Sequence, residues 1–224
     1  MYLTHMNMVE QQIRPWAIEN HLVLDALRQV PRDLYVPKDL RDLAYADLDI
    51  PLVRNEAGEV LVSMLSPKVE AKILQTVVEF LGETETKKQV LVVGFNSPYL
   101  VALLLHLGFL VKVCESEEKV LTQVEPLLQG KKSLSVSHQN FFTQPELDQF
   151  DAVIFAAAID VFDQSYLQLL KPTGCLVTTE GRSPVMQTKV YQVDVNKPSV
   201  SVQVIFETVL PYLSGVPRKS GFSF

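Results

Sequence analysis

Gly94 and Glu115 are the two residues of this chain whose type and spacing best suit ligand chemistry. Gly94 closes the apolar run Val90–Val93 in the stretch VLVVGFNSPYL, which reads as a buried strand, a sharp turn and an apolar helix. In an open α/β sheet, a turn after the first strand faces the crevice where nucleotides bind. A glycine there supplies positive φ or a close backbone approach. Glu115 ends the next run, VKVCES, roughly 20 residues further on, where a nucleotide-binding sheet carries an acid that accepts both ribose hydroxyls. Glu115 also has a bland reading, as a cap for the helix that begins near Glu117, because acids favour helix N-termini.

The turn is modified. Asn96 and Pro98 stand where a three-glycine turn would have its other two glycines. Asn tolerates left-handed geometry, so the turn survives at that position, but its amide fills space a glycine leaves open. Ser97-Pro98 is a strong helix start, with the residue before proline extended and proline in the first turn. Pro98 also removes one N–H donor and adds a ring close to the ligand path.

The surrounding elements must form a sheet that aims these residues. From Ser66 onward, helical and strand-like stretches alternate, which predicts parallel β-α units and an α/β fold. SPKVEAKILQTVVEFLG has Ser66 at the N-cap, proline in the first turn and Gly82 as terminator. Strands are predicted at QVLVVGF, LVKVCES, LSVSH, DAVIFAAA and GCLVTTEG. Helices are predicted at Pro98–His106, near Glu117–Leu128, after Phe142 and from about Asp160 to Leu170. The last third breaks the alternation, since TKVYQVDVNKPSVSVQVIFETV is two alternating strands around a turn at Asn196–Ser199. The sheet is therefore mixed, with a C-terminal antiparallel hairpin. Residues 1–65 read as a helical N-terminal segment with a polar hairpin tip at Gly58, and residues 66–224 as the Rossmann-like core. Leu22, Val23, Ala26, Leu27 and Val30 share one helical face, closed by Pro31, and a second short helix starts after Pro37.

Composition narrows the function classes. The 224 residues are 47% hydrophobic, enough for a full-sized core. A net charge of −6 without basic clusters argues against a nucleic-acid surface. No stretch is long and apolar enough to span a bilayer, and the N-terminus does not read as a signal peptide, so a cytoplasmic protein is expected. Cys114 and Cys175 lie in apolar runs and read as packing, and neither has a Cys or His at metal-ligand spacing. His5, His21, His106 and His138 are scattered and read as structural or surface residues, with His138 nearest the proposed site. Trp16 and Tyr45 read as packing anchors of the N-terminal segment.

Five stretches, MVEQQIRPWAI, ALRQVPRDLYVP, LRDLAYADLDIPL, SPKVEAKILQ and FDAVIFAAA, together resemble the protein-L-isoaspartate O-methyltransferase family from about Met8 to Gly181. The closing LPYLSG resembles a bacterial branch of it. The resemblance implies a Rossmann-like methyltransferase fold, S-adenosyl-L-methionine as cofactor, and methylation of a protein or peptide carboxylate, that of an isoaspartyl residue. It sets Gly94, Phe95 and Asn96 under the methionine part of the cofactor and Glu115 on the ribose. Gln139 stands where the family has an Asp that contacts the adenine amino group; its carbonyl still accepts that bond, but without the charge. His138 and Asn140 replace the flanking glycines, and Asn140 joins the cofactor set. On the acceptor side, Leu65 takes the position of the family's Ser in VSMLSP, with Ser63 and Ser66 as neighbours. Ser66 is thus a weak catalytic candidate beside its simpler reading as an N-cap.

The implied reaction needs no general base. A sulfonium methyl group is already activated, an ionised carboxylate is a competent nucleophile near pH 7, and the protein supplies alignment and exclusion of water. Two other readings stay open. One is a binding or regulatory homologue that keeps the fold without catalysis, suggested by the lost glycines, the lost adenine Asp and the lost Ser. The other is a nicotinamide-dependent oxidoreductase, which would need G-x-G-x-x-G and leaves the C-terminal hairpin unexplained.

Overall fold

Strands apolar along their whole length must be covered on both faces, and the runs at Val90–Val93 and Ala152–Ile159 form the middle of a seven-stranded sheet in the computed structural model. The structure describes residues 2–82, 86–144, 146, 148–193 and 200–217. The chain opens with α1 (Tyr2–Asn7), continued by wider turns to Ile13 and a tight turn at Arg14–Trp16, then α2 (His21–Gln29). A hairpin of β1 (Ile50–Arg54) and β2 (Val60–Met64) leads into α3 (Pro67–Leu81). The core continues with β3 (Gln89–Val93), α4 (Pro98–His106), β4 (Leu110–Glu115), α5 (Glu118–Val124), β5 (Leu134–His138), β6 (Phe150–Ile159), β7 (Leu170–Arg182), β8 (Val185–Val193) and β9 (Val200–Glu207).

The sheet order is β5-β4-β3-β6-β7-β8-β9. The pairs among β5, β4, β3, β6 and β7 are parallel, and β8 and β9 add antiparallel. The chain runs outward from β3 to β5 and then restarts on the other side of β3 with β6. That reversal opens a crevice beyond the carboxyl ends of β3 and β6, at Gly94. The expected mixed α/β sheet and C-terminal antiparallel strands are present; the turn expected at Asn196–Ser199 lies outside the described residues.

Alternation along β3 divides the core. Val90 and Val92 pack on the face covered by α3 and α4, while Leu91 and Val93 pack on the other face with Phe141, Phe155 and Leu176. That second face carries two corrections. The helix expected from Asp160 to Leu170 is a tight 3-10 turn, Gln164–Leu169, capped by the Asp163 carboxylate accepting from Ser165 N–H at 2.8 Å. The expected span lies between the end of β6 at Ile159 and the start of β7 at Leu170. After Phe142, the described residues form no helix; Phe141, Phe142, Phe155 and Tyr166 instead pack ring against ring with centroids 5.3–6.4 Å apart. The short helix expected after Pro37 is likewise a 3-10 segment, Lys38–Leu43. Among the described residues, no helix is long and apolar enough to cross a membrane.

Helix termini follow local chemistry. Asn20 caps α2, its Oδ1 accepting from Leu22 N–H at 3.0 Å and Val23 N–H at 3.3 Å. The helix stops at Gln29 because Val30 precedes Pro31 and is driven into extended geometry. Asn20→Ala is expected to lower the free energy of unfolding by about 1 kcal/mol, read as a lower urea midpoint at unchanged slope.

Candidate active site

Gly94 leaves β3 at φ +89 and donates its N–H to Cys114 O at 2.8 Å, so the turn is tied to β4 from its first residue. The Glu115 carboxylate completes the tie. One oxygen accepts from Phe95 N–H at 2.8 Å and the other from Glu117 N–H at 2.9 Å. The acid is buried, 4% exposed. The side chain therefore serves the start of α5, as its helix-cap reading expects, and it also holds the glycine turn at the crevice. Gln139 follows β5, and its N–H bonds Glu115 O at 2.9 Å.

The other expected residues are divided. The Phe95 ring is fully buried among the helix-side core, so only its backbone reaches the turn. The Asn96 side chain folds back over Gly94, its Oδ1 lying 2.9 Å from where a β-carbon on Gly94 would stand. Asn140 closes its own turn, accepting from Phe142 N–H at 3.0 Å. The His138 ring lies 3.0 Å from Ser116 O. Ser66 sits at the N-cap position of α3, but its side chain makes no capping bond. Its N–H donates to Asp49 Oδ1 at 2.8 Å instead. Leu65, at the position of the expected Ser, is 1% exposed. Tyr45 is an anchor as expected, stacked on His5 at 5.2 Å. Trp16 is 45% exposed and carries the Lys68 ammonium over its ring at 4.3 Å. Among the described residues, no group of three His, Cys, Asp or Glu could hold a metal ion.

Two residues that the sequence reading passed over connect the loop at Leu65 to the start of α4 beside the glycine turn. Arg32 is fully buried and donates Nε–H to Glu70 at 3.0 Å, one NH group to Ala44 O at 2.7 Å, and the other to Leu65 O. Glu70, on α3, receives the hydroxyl of Ser97, whose oxygen caps α4 by accepting from Leu100 N–H at 3.2 Å. Burial pushes the Glu70 carboxyl up to about 7, against the pull of Arg32 and the Ser97 hydroxyl. The available signal was an acid at Glu70 on the otherwise apolar stripe of α3, between Val69 and Ala71.

The crevice itself is filled. Among Gly94, Glu115, Gln139 and Phe141, under Leu213 and Ser214, there remains a hollow of about 10 Å³. Small-molecule sites typically enclose ~300–1,000 Å³. A β-carbon added to Gly94 would overlap Leu213 Cδ2, so the chain's own C-terminal segment occupies the space above the turn. In this conformation the hollow beside the glycine turn and the Glu115 carboxylate is too small for a nucleoside. A hollow of about 490 Å³ lies alongside, sharing Phe141 and Phe142 and bordered by Tyr166 and Pro217. Another, of about 650 Å³, lies at the amino ends of the strands around Leu110, Lys112 and Leu134, away from these residues.

Comparison with known proteins gives a consistent picture. The family profile described as protein-L-isoaspartate(D-aspartate) O-methyltransferase (PCMT) matches residues 3–210. A protein-L-isoaspartate O-methyltransferase of Hahella chejuensis is 28% identical over 221 residues, covering 96% of this chain and 98% of that protein. A protein-L-isoaspartate O-methyltransferase 2 of an Anaeromyxobacter species is 30% identical over 177 residues, covering 78% of this chain and 68% of its own. Among solved structures, a Plasmodium falciparum chain described as a putative protein-L-isoaspartate O-methyltransferase, in complex with S-adenosyl-L-homocysteine, superposes with a TM-score of 0.74. It shares 18% identity and covers 94% of this chain and 98% of that one, a likeness of fold.

Proposed function

Because this chain belongs to the protein-L-isoaspartate(D-aspartate) O-methyltransferase family, we propose that it transfers a methyl group from S-adenosyl-L-methionine to a protein side-chain carboxylate, with an isoaspartyl carboxylate as acceptor. The observation that carries the reading is the family match over residues 3–210, which spans the Gly94 turn, Glu115 and nearly all of the N-terminal segment. We assign Gly94, Phe95, Asn96, Glu115, Gln139 and Asn140 to the cofactor side and Ser66, the weakest of the set, to the acceptor side. Glu115 supports the assignment because its Oε2 accepts one backbone N–H and has a second lone pair to offer, while Oε1 accepts Glu117 N–H and the Ser116 hydroxyl.

A second reading has its own observations. Leu213 over Gly94 and the buried Leu65 both favour a homologue that keeps the fold without catalysing.

Incubation with S-adenosyl-L-methionine labelled in its methyl group and an isoaspartyl peptide separates the two. The expected product is a base-labile methyl ester on the peptide, absent when the same peptide carries ordinary aspartate. Label on neither the isoaspartyl peptide nor a mixture of aged proteins would favour the non-catalytic reading.

A further inference from the structure

We propose that Glu70 is a positioning residue for methyl transfer: through Arg32 on one side and the Ser97 hydroxyl on the other, it sets the Leu65–Ser66 peptide and the glycine turn in one fixed relation. The proposal rests on the methyltransferase reading above and adds to it how the two sides of the site are kept aligned.

Glu70 lies in the first turn of α3 and binds Ser97, the cap of α4, so one carboxylate stands at the start of both helices. Helix N-termini favour negative charge. The Glu70 and Arg32 side chains are both fully buried. Each carboxylate oxygen is used: Oε2 accepts Arg32 Nε–H at 3.0 Å, and Oε1 accepts the Ser97 hydroxyl. Stability alone is a weak reason for such a pair, because well-packed apolar side chains of similar volume often serve as well.

Arg32 carries the link to the loop before α3. Its guanidinium donates to Leu65 O, and the N–H of that same peptide bond, on Ser66, donates to Asp49 Oδ1 at 2.8 Å. The Leu65–Ser66 peptide is thus held by its oxygen and by its nitrogen. The glycine turn is likewise held at two points. Glu115 accepts Phe95 N–H at 2.8 Å near its start, and Glu70 accepts the Ser97 hydroxyl at its end. Asn96 and Ser97 between them are buried. Glu70 joins the two anchored segments.

Methyl transfer to a carboxylate takes no general base, so its rate rests on alignment of donor and acceptor. A misplacement of about 1 Å can cost ~10²-fold in rate. Ser66 is assigned above to the acceptor side, and Gly94, Phe95 and Asn96 to the cofactor side. A rigid link between their backbones supplies that alignment. Glu70 acts through Ser97 and Arg32, not on the reacting atoms.

The test compares Ser97→Ala, Glu70→Gln and the double variant with wild type, all as full chains. The first readout is hydrogen exchange without ligand. Ser97→Ala should speed exchange of the Ser66 amide about threefold or more relative to the β6 amides, which report global opening. The second is kcat per S-adenosylhomocysteine-binding site, with sites counted by calorimetry so that unfolded molecules drop out. Each single variant should lose about tenfold in kcat on labelled S-adenosyl-L-methionine and an isoaspartyl peptide, with both KM values little changed. The double variant should lose no more, since both changes cut one link. Should Glu70→Gln fail to fold, Ser97→Ala, which removes a single oxygen, decides by both readouts. An unchanged Ser66 amide, wild-type kcat per site, or single losses that multiply in the double variant would overturn the positioning role and leave the methyltransferase reading standing. A wild type that neither binds S-adenosylhomocysteine at millimolar ligand nor transfers label would remove that reading and the positioning role with it.

Discussion

Gly94→Ala is expected to lower the free energy of unfolding by about 2–5 kcal/mol, a sum of two costs at one atom. The residue sits at φ +89, where an L side chain costs roughly 1–2 kcal/mol through its β-carbon. The same β-carbon overlaps Leu213 and lies 2.9 Å from Asn96 Oδ1, and overpacking of this kind costs typically ~1–3 kcal/mol. The two costs are separable. Leu213→Ala alone should destabilise, since truncating a buried leucine costs about 2–5 kcal/mol. In the double variant, the new methyl group enters the space the leucine leaves. The combined loss should then fall short of the sum of the single losses by about 1 kcal/mol or more, while the cost of positive φ remains. Urea denaturation of the four proteins measures this coupling. Additivity within about 0.5 kcal/mol would mean that Leu213 and Gly94 do not share the cleft.

The same pair marks the limit of what could be read from the sequence. VLVVGFNSPYL announced strand, turn and helix through local chemistry alone, namely a buried apolar run, one glycine and a Ser-Pro helix start. All three are where that chemistry puts them, with Ser97 as cap and Pro98 in the first turn of α4. The position of Glu115 was legible for the same reason, because strand length and parallel register fix which residue reaches the end of β4. Leu213 was not. Its contact with Gly94 joins residues more than half a chain apart, and nothing in LPYLSG specifies that it pairs with β6. The 3-10 turn at Gln164–Leu169 shows the converse failure. A helix was expected across the span between β6 and β7, but the chain crosses it by a 3-10 turn that runs directly into β7 at Leu170. Arg32 and Glu70 were missed for a third reason. A charged residue reads as exposed unless its partner is known, and these partners come together only when the N-terminal segment packs on α3.

That buried pair carries the other large expected effect. Arg32→Met should cost about 3–5 kcal/mol, because it leaves Glu70 fully buried without its counter-charge. It also strips the donors from Ala44 O and Leu65 O. The loss should depend on pH, and its sign follows from Glu70. Burial holds the Glu70 carboxyl at about 7, above its ordinary 4.5. A carboxyl raised on folding contributes stability that is fully present below about 4.5 and is lost as pH rises through about 7. Removing Arg32 takes away an influence that lowers this value, so the carboxyl rises further and the loss extends to higher pH. Arg32→Met should therefore be more destabilised relative to wild type at pH 8 than at pH 6. Adding Glu70→Gln should remove most of that difference while recovering part of the stability, since the glutamine amide can still accept the Ser97 hydroxyl without carrying a charge. Urea midpoints of the three proteins at the two pH values give the comparison. A pH-independent deficit in Arg32→Met would show that Glu70 is not the group left exposed to the loss. In that case Arg32 would act through the carbonyls of Ala44 and Leu65 alone, and the link from the loop at Leu65 to the Ser97 cap would not run through this pair.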